Sequence, residues 1–233
     1  MSVRDTGQTG EMYESTPPRV TMRVWELPVR ITHWVIFLSV IVLSVTGFYI
    51  GNPFISTGSD PRFLMGTVRS IHVVSAWVMI AAVMARILWA FTGNRWAHWD
   101  QFIPVGGGRR KTIGQNLKYY LLLRRDIPKE IGHNPLAGIT YTVVYLMFLV
   151  QIVTGLALTG LDNPGGILSN LTGWVFGIGS IPAVRFTHHI IMWLTWGFII
   201  HHVYSAVLVD TEEKNGLLSS IFSGRKEVEK DLL

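Results

Sequence analysis

Six histidines, His33, His72, His188, His189, His201 and His202, fall within stretches of chain that are otherwise almost wholly apolar. An ionisable side chain in such a setting is costly unless it faces a partner or serves a function, so six together argue for a cofactor rather than for packing. Imidazole binds metals and also carries protons near neutral pH. A proton or metal-ion path would ordinarily add acidic partners, and none of the four apolar stretches contains Asp or Glu. The chain has no cysteine, which excludes thiolate-bound iron–sulfur clusters, covalent c-type haem attachment and disulfides. Histidine is then the natural ligand for a redox centre.

Spacing sorts the last four histidines. A helix turns about 100° and rises about 1.5 Å per residue. His188 and His202 therefore differ by only about 40° in azimuth and about 21 Å in height, whereas any pairing that uses His189 or His201 instead diverges by roughly 120–140°. One stripe of this helix presents two histidines at two depths, as a helix that staples two stacked haems would. Chain direction supplies the partners. His33, early in the first apolar stretch, is level with His202; His72, early in the second, is level with His188. Two bis-histidine pairs are expected, His72 with His188 for an outer haem and His33 with His202 for an inner one. A swap within either doublet stays open if the helix is distorted, and His98 and His133 read as loop residues.

The elements that must position these groups are four apolar stretches of about 20 residues, the length that crosses a bilayer: 31–50, 70–91, 137–159 and 187–209. With 49% hydrophobic and 15% charged residues, the composition points away from a soluble protein. The fold class expected is all-α, an integral membrane four-helix bundle with haem between the helices and short interfacial helices besides. Residues 1–22 are expected to form a disordered cytoplasmic tail, 23–210 the bundle domain and 211–233 a cytoplasmic C-terminal tail. None of the spans resembles a cleavable signal peptide.

Orientation follows from the Lys and Arg that flank the spans. The N-terminal segment, the 92–136 connection and the C-terminal tail carry sixteen of the twenty; the other two loops carry only Arg62, Arg69 and Arg185, and Arg86 lies inside the second span. Both termini are therefore expected on the cytoplasmic side of a bacterial inner membrane. The net charge of +5 is mostly this topology signal and calls for no nucleic acid. In the central connection, Ile113–Arg125 mixes apolar, aromatic and basic residues as an interfacial helix does, and Leu171–Ile178 is too short to span and suits a periplasmic surface.

Further residues fit haem or quinone. Arg30, Arg69 and Arg185 lie near span ends where haem propionates would point, and Arg holds a carboxylate bidentately. Arg30, Trp34 and His201 lie near the inner tier, where a quinone would bind. The sequence Val45-Thr46-Gly47 in the first span recurs as Val153-Thr154-Gly155 in the third; both glycines suit close approach of a porphyrin or of a neighbouring helix.

Several short motifs, Arg30-Ile-Thr-His33-Trp34, Arg69-Ser-Ile-His72, Gly132-His-Asn-Pro-Leu-Ala-Gly138, Arg185-Phe-Thr-His188-His189 and His201-His202-Val-Tyr204, resemble those of the b-type cytochrome subunit of membrane-bound [NiFe] uptake hydrogenases. The likeness runs from about Val24 to Asp210. It is similar in part to the wider superfamily, including prokaryotic cytochromes b561 and formate dehydrogenase gamma subunits. The resemblance implies a dihaem b electron-transfer subunit without catalytic residues of its own, with haem ligands at His33, His72, His188 and His202. It also implies a partner small subunit, anchored by a C-terminal membrane helix and carrying iron–sulfur clusters, a large subunit with the nickel–iron site, and membrane quinone as acceptor. Two other readings remain at this point: a free-standing cytochrome b561-type quinone oxidoreductase or the cytochrome of another periplasmic dehydrogenase, and a histidine-lined transporter or metal permease, which would be colourless.

Overall fold

The structure, a computed structural model, describes residues 17–54, 61–104, 106–121, 123 and 130–232. In chain order the elements are β1 (Arg19–Arg23), α1 (Leu27–Gly51), α2 (Pro61–Thr92), α3 (Gly107–Tyr120), α4 (Pro135–Gly160), the short α5 (Ile167–Thr172) and α6 (Val175–Ile178), α7 (Ile181–Glu213), α8 (Leu217–Ser223) and β2 (Arg225–Glu229). Single 3-10 turns lie at Trp99–Gln101 and Lys230–Leu232.

Four of the helices, α1, α2, α4 and α7, are long and apolar enough to cross a membrane, and each contains one of the stretches expected from sequence. Proline is confined to their first turns, at Pro28, Pro61, Pro135 and Pro182, where its missing N–H breaks no intrahelical bond. The interiors run uninterrupted, so the backbone polar groups between the end turns are satisfied within the helix, as a hydrocarbon environment demands. The outer faces stay apolar: Leu38, Val45, Leu88 and Ile200 are all more than half exposed. Inside, Ile36 and Val40 of α1, Met79, Ala82 and Val83 of α2 and Val144 and Phe148 of α4 form the central core. Packing is most extensive between α1 and α2 and between α4 and α7, so the bundle is two helix pairs laid together.

The two strands that flank the helices in sequence meet at one end of this bundle. β1 pairs antiparallel with β2, Val20 opposite Val228 and Met22 opposite Lys226. This corrects the expectation of disorder through residue 22: residues 17–22 are ordered because the C-terminal segment supplies the strand they need, while residues 1–16 lie outside the described residues. Trp25, nearly buried, donates its indole N–H to Ser220 Oγ at 3.0 Å. Gly224, at φ +78°, turns its carbonyl to the amides of Val24 (2.9 Å) and Trp25 (3.1 Å). The C-terminal tail is thereby folded onto the start of α1. The helix expected at 113–125 is α3, which starts earlier and ends at Tyr120; Arg124 and Arg125 lie outside the described residues.

The Gly132–Gly138 motif shapes the entry into α4. Asn134 Oδ1 accepts the amide of Ala137 at 2.8 Å as an N-cap, Pro135 opens the helix, and Gly138 leaves room for the backbone of Gln101, whose carbonyl oxygen would collide with any Cβ there.

Candidate functional site

At the end of the bundle away from the termini, His72 on α2 and His188 on α7 are held in the same way. Thr46 Oγ1 of α1 lies 2.8 Å from His72 Nδ1; Thr154 Oγ1 of α4 lies 2.9 Å from His188 Nδ1. The glycine after each threonine lies against the ring: a Cβ on Gly155 would press on His188 Cε1 at 3.1 Å, whereas one on Gly47 would reach ordinary contact with His72 Cε1 at 3.4 Å. The recurring Val-Thr-Gly thus receives an imidazole in each copy rather than only packing helices.

Nearer the termini, His33 of α1 and His202 of α7 face each other, with ring centroids 6.4 Å apart and planes inclined by 54°. Phe198, one turn before His202, stacks on its ring at 5.4 Å, and Tyr141 of α4 meets the same ring edge-on at 5.7 Å. Trp34 stands edge-on to His33 at 5.3 Å and packs on Phe222 of α8 at 4.8 Å. Arg30 donates to the carbonyl of Phe222. Among the described residues, His33 Nδ1, Trp34 Nε1 and Arg30 Nε are buried without a hydrogen-bond partner.

Each doublet is divided by the straight course of α7. His188 and His202 are partly buried, while His189 and His201 are exposed; His189 meets Phe48 at 5.8 Å and His201 meets Tyr120 at 6.3 Å. Arg69 and Arg185 are exposed at the far end. His133, a loop residue by sequence, joins an aromatic run instead: it stacks on Trp25 at 4.7 Å and meets Tyr141 at 4.8 Å, which in turn meets His202. Arg86, nearly buried in α2, donates to the carbonyl of Ala97 at 3.4 Å and lies over the ring of Phe102. Sequence reasoning missed Thr46, Thr154, Tyr141 and His133; the repeated Thr-Gly was the one available signal for the first two.

Haem fits this donor set. An imidazole nitrogen bonds a transition metal at about 2 Å and the ring centre lies about 1 Å behind it, so two imidazoles on opposite faces of one iron have centroids about 6 Å apart, close to the spacing of His33 and His202. Among the described residues no three His, Asp or Glu side chains converge as a bare ion would require. The imidazoles come in twos, which suits a metal whose remaining positions a macrocycle fills.

Polar contacts outside the spans tie the terminal end together. Tyr119 of α3 donates to Glu212 of α7; burial first, then that hydrogen bond and the nearby carboxylate charge, push its phenol well above the usual tyrosine range. Lys226 of β2 lies 3.9 Å from Glu213 and 3.4 Å from the Glu130 carbonyl, with burial lowering its ammonium.

Residues 24–224 match the family described as "Prokaryotic cytochrome b561". The chain is 36% identical over 232 residues to the "Probable Ni/Fe-hydrogenase B-type cytochrome subunit" of Rhodobacter capsulatus, covering 96% of this chain and 88% of the relative. A protein of the same description from Azotobacter vinelandii is 32% identical over 238 residues, 99% of each chain. The "Probable Ni/Fe-hydrogenase 1 B-type cytochrome subunit" of Escherichia coli (strain K12) is 32% identical over 223 residues, 91% of this chain and 94% of the relative.

Proposed function

The chain belongs to the prokaryotic cytochrome b561 family, a multi-pass membrane protein, and we propose that it is the b-type cytochrome subunit of a [NiFe] hydrogenase, carrying electrons from the iron–sulfur small subunit to membrane quinone. The observation that carries the reading is the facing of His33 on α1 and His202 on α7, a helix that also bears His188 on the same stripe about 21 Å away in height. The names of the relatives support the hydrogenase assignment. His72 and His188 would hold an outer haem b, and His33 and His202 an inner one. When bound, each haem supplies a one-electron centre.

The chain's own residues do the rest. α1, α2 and α7 carry the four imidazoles, and α4 packs against two of them with Thr154 and Tyr141. Trp34 Nε1 and Arg30 Nε, buried donors in need of acceptors, support a quinone head group at the inner tier; His201, turned outward against Tyr120, would approach it only from another face. Arg69 and Arg185 stand at the outer end, where propionates could meet them. The exposed apolar side chains Ile167, Leu171, Trp174 and Ile178 support docking of the small subunit and its membrane helix, with the large subunit beyond. The basic bias of the connections on the terminal side supports an inner-membrane protein with both termini cytoplasmic. The chain is an electron-transfer subunit, and catalysis lies on its partners.

The test is a reduced-minus-oxidised spectrum, with haem counted per chain, of the detergent-purified complex under hydrogen and then after addition of a quinone analogue. Two b haems per chain, reduced by hydrogen and reoxidised by quinone, are expected. A colourless protein overturns the cytochrome reading in favour of a permease. A haem protein that reduces quinone without hydrogenase subunits overturns the partner assignment in favour of a free-standing oxidoreductase.

A further inference from the structure

Val45-Thr46-Gly47 and Val153-Thr154-Gly155 occupy equivalent places in the two helix pairs, α1 against α2 and α4 against α7. We infer that Thr46 and Thr154 are positioning residues that fix the tautomer of His72 and His188 and hold the outer haem at a lower reduction potential than unassisted imidazoles would. The inference rests on the haem reading of that pair.

A hydroxyl has one proton. Thr46 Oγ1 lies 2.7 Å from the Val42 carbonyl and 3.2 Å from the Leu43 carbonyl, and carbonyl oxygens only accept. The hydroxyl proton is therefore spent on the helix's own backbone, and the oxygen offers His72 Nδ1 a lone pair at 2.8 Å. Thr154 repeats the arrangement, 2.8 Å from the Val150 carbonyl, 3.1 Å from the Gln151 carbonyl and 2.9 Å from His188 Nδ1. Both histidines then carry their proton on Nδ1, which leaves the Nε2 lone pair for a metal. Gly155 lets the His188 ring approach its acceptor, whereas a Cβ at Gly47 would lie in ordinary contact with His72.

A hydrogen bond accepted from the remote N–H makes an imidazole a stronger donor. A stronger donor stabilises ferric over ferrous iron, so the potential falls. The inner pair lacks this support. His33 Nδ1 is buried without a partner among the described residues, and His202 Nδ1 meets Tyr141 Oη at 3.4 Å, a longer and weaker contact than the 2.8 and 2.9 Å that Thr46 and Thr154 make. The adjustment is confined to the outer tier, and its sign favours electrons leaving the outer centre for the inner one.

The test is a spectroscopic redox titration of the intact complex carrying Thr46→Val, Thr154→Val, Thr46→Ser, Thr154→Ser or Thr195→Val. Thr195 is the control, a buried threonine that back-bonds to Ile191 at 2.8 Å in the same manner. The valine variants at 46 and 154 should raise the outer haem's midpoint, changing its reduced-to-oxidised ratio at fixed potential several-fold, and leave the inner midpoint in place. The serine variants and Thr195→Val should match wild type. Should a valine variant shed the outer haem alone while its serine counterpart keeps it, the positioning role stands by loss rather than by shift. Two retained haems with unmoved midpoints, or a defect shared equally by Thr195→Val, overturn the inference. Wild type without haem defeats the underlying reading instead, so the two failures are distinguishable.

Discussion

The rings of His33 and His202 stand 6.4 Å apart across the bundle, and no other histidine enters that pair, because α7 turns His201 outward against Tyr120. Removing either member should therefore have the same consequence. His33→Ala and His202→Ala are each expected to cost one haem per chain, the same haem by its spectrum and midpoint, whereas His72→Ala and His188→Ala should cost the other. His189→Ala and His201→Ala should retain both. Haem stoichiometry read on purified variants checks this, and loss of a haem from His189→Ala would reassign the outer doublet.

Gly155 and Gly47 are not equivalent despite their matching context. A Cβ at 155 would press on His188 Cε1 at 3.1 Å, while one at 47 would reach only ordinary contact with His72 at 3.4 Å. Alanine is also favoured over glycine within a helix by roughly 0.5–1 kcal/mol. Gly47→Ala should thus be neutral or slightly stabilising, and Gly155→Ala should displace the ring and weaken the outer site. Thermal unfolding in detergent alongside the haem spectrum separates the two outcomes.

The Gly132–Gly138 motif serves folding by this structure, so its loss should cost stability before function. Gly138→Ala places a methyl group against the Gln101 carbonyl and is expected to destabilise by about 1–3 kcal/mol, the usual cost of overpacking. Asn134→Ala removes the cap on Ala137 at a cost of about 1 kcal/mol. Both should lower the unfolding temperature while the protein that remains folded keeps its haem content. A haem deficit at unchanged stability would contradict this.

Tyr119 gives the terminal end a pH dependence at high pH. Its folded-state pKa is raised, so the folded protein holds the phenolic proton more tightly than the unfolded chain does. The corresponding stability is fully present below the unfolded value of about 10 and is lost as pH rises from there through the folded pKa. Tyr119→Phe should abolish this component, seen as a flatter dependence of unfolding temperature on pH above about 10. An unchanged slope would mean that the Glu212 contact carries no weight.

Much of this protein follows from its linear pattern. Four apolar runs with prolines only at their starts must become spanning helices, because a bilayer offers no other way to satisfy the backbone. The 3.6-residue period alone separates His188 and His202 from His189 and His201. What the pattern does not carry is contact between segments distant in sequence. Val20 opposite Val228, Trp25 on Ser220, and His133 stacked on Trp25 and edge-on to Tyr141 join residues whose own neighbours announce nothing. A five-residue strand looks like a tail until its partner is known. Thr46 and Thr154 show the same boundary. Sequence by itself determined that a hydroxyl and a glycine sit side by side twice in apolar helices; only tertiary packing decided that each would meet a histidine of the adjoining helix, because a threonine that back-bonds to its own helix has a lone pair free for whichever donor the neighbouring helix brings to it.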